Sequence, residues 1–457
     1  MGDLGKIIGD YRKRLEQLRQ TGRQQDNRPE EQQMITQFKK DIRLHMEPDF
    51  SYEKLQKVRR FAEPWLRAYF NIPQGDFSNI VTGAERIMPY QGKEGKKIVL
   101  MAGPHNSHLD DVSLYLALYA CGIGDLSIGA RTNMFMGKGD QLRELGAFAI
   151  SFFEKMPYTL VKAAQEEIED LLEQKILEEA NRSAQDKESP HWGQPTLFAS
   201  NGRSYFGKID EKYPPSWGRD HQLIKIRRNL EKLLRIQGRH ERWDILVYPV
   251  SLTQVTVPEQ PVLHHLPALK RLNTTAYQIA DYGTILVNMF IRKELGSIFH
   301  YPQSDIFIDI HEEVDLKEYR STSKEGFDKS IKELTDLVQS TIKKGYRILP
   351  EKLLATAVVS ASAKTGKHRR GRDEKRPGLR DVWEAFVDYH ERAGDKNVAR
   401  RAYEQPADQE FQKALSFYTS YGALKVKGEQ LVIKNMPLMV YQANTIAHHL
   451  SQTESVS

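Results

Sequence analysis

The stretch "PHNSHLDD", residues 104–111, puts two histidines, two aspartates, an asparagine and a serine into one short turn. Three chemistries can be written for it. In the first, His105, His108, Asp110 and Asp111 supply the nitrogen and oxygen donors of a metal site, as in metal-dependent hydrolases. Such sites draw further ligands from later strand ends, and the histidines of "LHHL" (263–266), "FHY" (299–301) and "DIHEE" (309–313) lack ligand-like spacing. No metal is expected on that ground. In the second, Asp110 and Asp111 stand in the first turn of a helix, where carboxylates meet orphan N–H groups and the positive end of the dipole. In the third, His105 faces the crevice at the end of a strand, where α/β sheets bind ligands. Asp110 then returns beneath the ring, accepts the hydrogen bond from one ring nitrogen and leaves the other as a base. That is a Ser-His-Asp arrangement without the protein's own nucleophile. It suits a reaction in which a hydroxyl of the substrate attacks.

Elements must hold such a turn in place. The apolar run "KIVLMAG" (97–103) leads into it and "VSLYLALYAC" (112–121) leads away, so the pattern reads strand, turn, helix. From about residue 80, short apolar runs alternate with helical segments: "DLSIGAR", "TLFAS", "DILVYPVSL" and "DIFIDIH". This rhythm predicts an α/β domain with a largely parallel sheet covered on both faces, over residues 79–345. Residues 1–78 read as a helical N-terminal domain, in which Leu55, Val58, Phe61, Trp65, Leu66 and Tyr69 lie along one stripe. Residues 346–457 read as mainly helical, interrupted by the exposed basic loop "SAKTGKHRRGRDEKRPGLR" (362–380) and a two-stranded hairpin. The closing helix–hairpin–helix has a winged-helix outline. It lacks stacking aromatics and a basic recognition helix, so nucleic acid is not an expected partner.

The composition narrows the class. Of 457 residues, 39% are hydrophobic and 28% charged, as in a water-soluble globular chain. The single cysteine, Cys121, excludes an internal disulfide and points to a reducing compartment. The first twenty residues alternate charge with apolar side chains, unlike a secretory signal. The longest apolar runs, such as "LGAFAISFF" (145–153), fall far short of the roughly 20 residues of a spanning helix. A net charge of +6 favours anionic partners: phosphates, an acidic carrier protein or an anionic lipid surface.

A resemblance chooses among the three chemistries. "HNSHLD" (105–110) resembles the His-x-x-x-x-Asp motif of the glycerolipid acyltransferases, specifically their glycerol-3-phosphate acyltransferase branch. Later blocks follow in the family's order: "LRELGAFAISFFEK" (142–155), "LFASNGRSYFGK" (197–208) and "ILVYPVSLTQV" (245–255). "LPEKLLATAVVSA" (349–361) and "MPLMVYQANTIAHHL" (436–450) also resemble the C-terminal part of the bacterial membrane-associated enzymes. The resemblance implies an acyltransferase-type mixed sheet flanked by helices, and transfer of a fatty acyl group to the sn-1 hydroxyl of glycerol 3-phosphate. The donor would be acyl-CoA or acyl carrier protein, with no other cofactor. The expected place is cytoplasmic, peripheral on the inner face of an anionic membrane.

Carried over residue by residue, the resemblance makes His105 the base and Asp110 its orienting acid. Gly202, Arg203 and Ser204 match the third block, in which the arginine holds the acceptor's phosphate. Pro249 matches the fourth and would shape the acyl-side wall. The second block usually places arginine where this chain has Ser151 and Phe152, which leaves Lys155 as the nearest cation to help with phosphate. The third usually carries a glutamate where this chain has Ser200. A lysophosphatidate or dihydroxyacetone-phosphate acyltransferase, a metal-dependent hydrolase and a non-catalytic lipid-binding protein remain the alternatives.

Overall fold

A computed structural model describes residues 3–21, 28–47, 51–90, 93, 95–103, 107, 109–123, 126–131, 143–151, 157–182, 194–198, 222–260, 262, 265–266, 269, 274–299, 302–364, 377–394 and 405–450. Its helices are α1 (Asp3–Thr21), α2 (Arg28–Met46), α3 (Tyr52–Tyr69), α4 (Asp110–Ala120), α5 (Tyr158–Arg182), α6 (Gln222–Arg239), α7 (Thr274–Phe299), α8 (Lys324–Gly345), α9 (Pro350–Lys364), α10 (Leu379–Ala393), α11 (Ala407–Ser420) and α12 (Met436–Leu450). The strands are β1 (Phe70–Asn71), β2 (Val81–Thr82), β3 (Lys96–Ala102), β4 (Leu126–Arg131), β5 (Phe148–Ser151), β6 (Gln194–Phe198), β7 (Asp244–Gln254), β8 (Ser304–Ile310), β9 (Val314–Asp315), β10 (Leu424–Lys427) and β11 (Gln430–Ile433).

The main sheet runs β1-β8-β7-β3-β6-β4-β5, with β2 also on β8 and β9 also on β7. Pairing is parallel except where β7 meets β8 and β9. The fold is therefore α/β with the largely parallel sheet that the alternating runs predict, and the antiparallel pairs of β7 make it the mixed sheet flanked by helices that the resemblance implies. β3 sits at the centre, paired with β7 from Lys96 opposite Asp244 to Ala102 opposite Val250.

Period-two alternation sorts the side chains of the central strands between two cores. Val99 and Met101 of β3, with Ile245 and Val247 of β7, join a core built by α1, α2, α5, α6 and α8. Ile98, Leu100 and Ala102, with Leu246, Tyr248 and Val250, join the opposite core, built by α3, α4 and α7. Near-continuous apolar strands are what burial on both faces demands. Each of the buried Val, Leu, Ile and Met side chains contributes about 1.5–3 kcal/mol by leaving water.

The stripe read on α3 divides. Leu66 and Tyr69 are buried and Trp65 is half-buried, whereas Val58 and Phe61 face solvent. The closing elements are the helix, hairpin and helix that the sequence implies: α11, β10–β11 and α12. With α9 and α10 they share a third core, which also takes in Val255 beyond the end of β7. Lys367, Arg369, Arg370 and Arg372 of the basic loop lie outside the described residues.

Candidate active site

β3 ends because its ladder ends. Gly103 N–H donates to Val250 O at 2.8 Å, and the next residue, Pro104, has no N–H to continue. Gly103 also permits a close approach. A Cβ there would stand 2.7 Å from the Tyr346 hydroxyl and 3.1 Å from Ile342 Cγ2. The strand end is thereby wedged beneath the C-terminal part of α8.

Beyond it, Ser107 and Asp110 organise the entry to α4. The Asp110 carboxylate is almost fully buried, and its Oδ2 accepts the Ser107 N–H at 2.9 Å. Its Oδ1 accepts a hydrogen bond from Gln254 Nε2, at the end of β7. Ser107 Oγ accepts the Leu109 N–H at 3.0 Å. The same hydroxyl donates to Glu259, whose two carboxylate oxygens lie 2.8 and 3.1 Å away. Asp110, five positions after His105 in the sequence, thus reaches back from the first turn of α4 to the Ser107 N–H, while the N-cap residue Leu109 makes no side-chain cap. His105 itself, His108, Lys155, Ser200, Gly202, Arg203 and Ser204 lie outside the described residues.

Glu259 is a functional candidate that the sequence reading missed. It is completely buried in the segment after β7, beneath the turn. Three neighbours fix that segment. Gln442 of α12 donates to Val255 O, Asn288 of α7 donates to Pro258 O at 2.7 Å, and Ser304 Oγ accepts the Thr256 N–H at 2.9 Å. Tyr69 Oη lies 3.1 Å from Thr256 Oγ1, and burial holds that phenol far above its ordinary pKa, so it stays protonated. The available signal was a glutamate set between prolines in "TVPEQPV", a charge where the flanking text is apolar.

Pro249 is buried in β7, opposite Met101 of β3. A proline fits this central strand because β7 changes partner there. β9 pairs with Leu246 and Val247, β8 with Val250 onward, and the Pro249 carbonyl accepts the His311 N–H at 2.9 Å. No ladder donor is needed at that position.

His311, one of the histidines weighed for a metal, is engaged elsewhere. Its Nε2 lies 2.8 Å from Ser251 Oγ, which gives its own proton to Ile342 O at 2.7 Å. The imidazole is therefore the donor of that pair. Among the described residues, no three His, Cys, Asp or Glu side chains converge as metal ligands.

No family model matches the chain, and no curated protein matches it. Among solved structures, it is similar to the 1-acyl-sn-glycerophosphate (LPA) acyltransferase PlsC from Thermotoga maritima, at 18% identity and a TM-score of 0.29, over 65% of this chain and 81% of that one.

Proposed function

We propose that this protein is an acyltransferase that moves a fatty acyl group from an acyl thioester, acyl-CoA or acyl carrier protein, to the sn-1 hydroxyl of glycerol 3-phosphate. One observation carries the reading. A buried carboxylate, Asp110, is held on both oxygens at the end of the central strand, five positions after a histidine. His105 takes the proton from the acceptor hydroxyl as its oxygen attacks the thioester carbonyl. The tetrahedral intermediate collapses, the C–S bond breaks, and the thiolate recovers the proton from the imidazolium. No acyl-enzyme forms. A general base of this kind contributes about 10²–10⁴-fold.

Arg203, with Gly202 and Ser204 beside it, takes the acceptor's phosphate; a guanidinium offers the planar fork that such a group needs. Lys155 assists, Ser200 belongs to the same proposed acceptor site, and Pro249 shapes the acyl-side wall. The lysophosphatidic acid formed belongs to phospholipid synthesis, and the protein works as a peripheral partner of an anionic membrane. Among the described residues no helix is long and apolar enough to cross one.

The test is an acceptor panel with one acyl thioester, read as release of free thiol. Glycerol 3-phosphate should support the fastest release. Faster turnover of lysophosphatidate or dihydroxyacetone phosphate would reassign the acceptor. Thiol release without an ester product, abolished by a chelator, would replace transfer by metal-dependent hydrolysis. No release with any acceptor would leave a lipid-binding protein.

A further inference from the structure

Helix α7 carries apolar residues all round, which in a soluble protein means burial on every side or a second apolar environment. One face is accounted for. Asp281, Ile285, Met289 and Arg292 recur at helical spacing and are buried against the sheet and α3. The opposite face is equally apolar and faces outward: Ile279 is 68% exposed, Leu286 67% and Phe290 53%, with Val287 beside them. α3 packs alongside and extends the patch with Phe61, 69% exposed, and Val58. Half of the large exposed apolar side chains among the described residues thus fall on two neighbouring helices. Exposed apolar surface gathered in this way marks an interaction site.

Charge indicates the partner. α3 has five basic residues against two acidic ones, and Lys54, Lys57 and Arg60 are exposed around Val58 and Phe61. Lys293, paired with Glu294 at 3.3 Å, lies over the Trp65 ring at 4.6 Å, which adds an aromatic body and a cation to the rim. A second copy docking symmetrically would bring this basic rim against itself. An anionic bilayer meets both the charge and the apolar stripe. α7 cannot insert across it, because Asp281 and Arg292 belong to the face turned towards the protein.

We propose that α7 and α3 form a membrane-docking face, with Ile279, Leu286, Val287, Phe290, Val58 and Phe61 immersed at the interface of an anionic bilayer and the basic residues of α3 on its headgroups. No residue of the basic loop at 362–380 is part of this face. Through Asn288 it is tied to the segment that carries Glu259. It does not depend on the catalytic reading, because binding is measured without turnover.

The full chain is co-sedimented with phosphatidylcholine vesicles, with and without phosphatidylglycerol, at low and high salt. It should partition to the anionic vesicles, and part of that binding should survive high salt. Leu286→Asp with Phe290→Asp should lower partitioning at least about tenfold while the urea midpoint holds, since each immersed side chain of this size is worth more than the 1.4 kcal/mol of a tenfold change. Val287→Ser, a milder variant, should give a smaller loss in the same direction. Wild-type binding by the double variant would overturn the proposal, as would absence of binding by the unmodified chain. Conversion of a dimer to a monomer with vesicle binding intact would assign the face to a second copy.

Discussion

At the scale of single residues, the turn at 104–111 makes the sharpest claims. His105→Ala should lower acyl transfer by about 10²–10⁴-fold with the fold intact, checked by thiol release beside a circular dichroism spectrum. Asp110→Asn is a different lesion. An amide offers one acceptor oxygen where the carboxylate accepts from both Ser107 N–H and Gln254 Nε2. One donor loses its partner, so the variant should lose about 1–3 kcal/mol of stability as well as turnover. Activity near normal in His105→Ala would remove the base from the mechanism. Arg203→Ala should raise the KM for glycerol 3-phosphate roughly 10- to 100-fold, the equivalent of a charge-assisted hydrogen bond, with Arg203→Lys recovering only part. Saturation by the acyl donor should hardly move; a donor defect with acceptor KM unchanged would put phosphate recognition elsewhere. Asp110 was legible because its spacing from a histidine is a local pattern. Glu259 was not, because its partner Ser107 is distant in sequence and only the pairing of β3 with β7 brings the two together.

Elements were legible where burial leaves a period. β3 and β7 read as apolar runs because both faces are covered, and α4 followed from the turn residues that start it. The failures have physical causes too. Val58 and Phe61 obey helical spacing, yet spacing cannot tell a face that meets protein from one that meets something else. Pro249 did not mislead, since "DILVYPVSL" reads as a strand and is one, but the change of partner from β9 to β8 that lets a proline sit there has no mark in the sequence. Gly103 gives no sign in the sequence of the helix lying against it. It makes the test at this scale: Gly103→Ala should cost about 1–3 kcal/mol through overpacking against Tyr346 and Ile342. Adding Tyr346→Phe, which removes the hydroxyl nearest the new methyl, should restore part of that loss in urea unfolding. No restoration would place the strain elsewhere.

For the whole molecule, α9 sets the response to pH. Glu351 and Lys352 are both fully buried among the C-terminal helices. Burial, reinforced by the Asp305 carboxylate, pushes Glu351 up to about 7; Lys413 pulls the other way and Glu410 adds to the rise. Burial pushes Lys352 down to about 7, against the pull of Glu351. Between the ordinary carboxylate value of 4.5 and 7, the folded chain keeps a proton that the unfolded chain releases, so stability falls as pH rises. Between 7 and 10.5, the unfolded chain binds a proton that folded Lys352 gives up, so stability rises. The pair should therefore cut a dip near neutral pH. Glu351→Gln with Lys352→Met should fill it, raising stability at pH 7 by about 1–4 kcal/mol and less at pH 5 and 10, measured as urea midpoints. A uniform change at all three values would mean that the two groups do not titrate in this range.

The way β1 and β2 are paired also imposes a timetable on the cell. Both lie ahead of residue 83, yet their hydrogen-bonding neighbour is β8, which begins at Ser304. At roughly 5–20 residues per second, translation leaves them unpaired for about 10–45 s. Val255, just before the segment that holds Glu259, likewise waits for Gln442, 187 residues further on. A nascent chain on the ribosome thus carries His105 and Asp110 early and gains their supporting frame only when α12 has emerged. If the chain is the acyltransferase we propose, a premature stop anywhere before that helix should leave a product that releases no thiol.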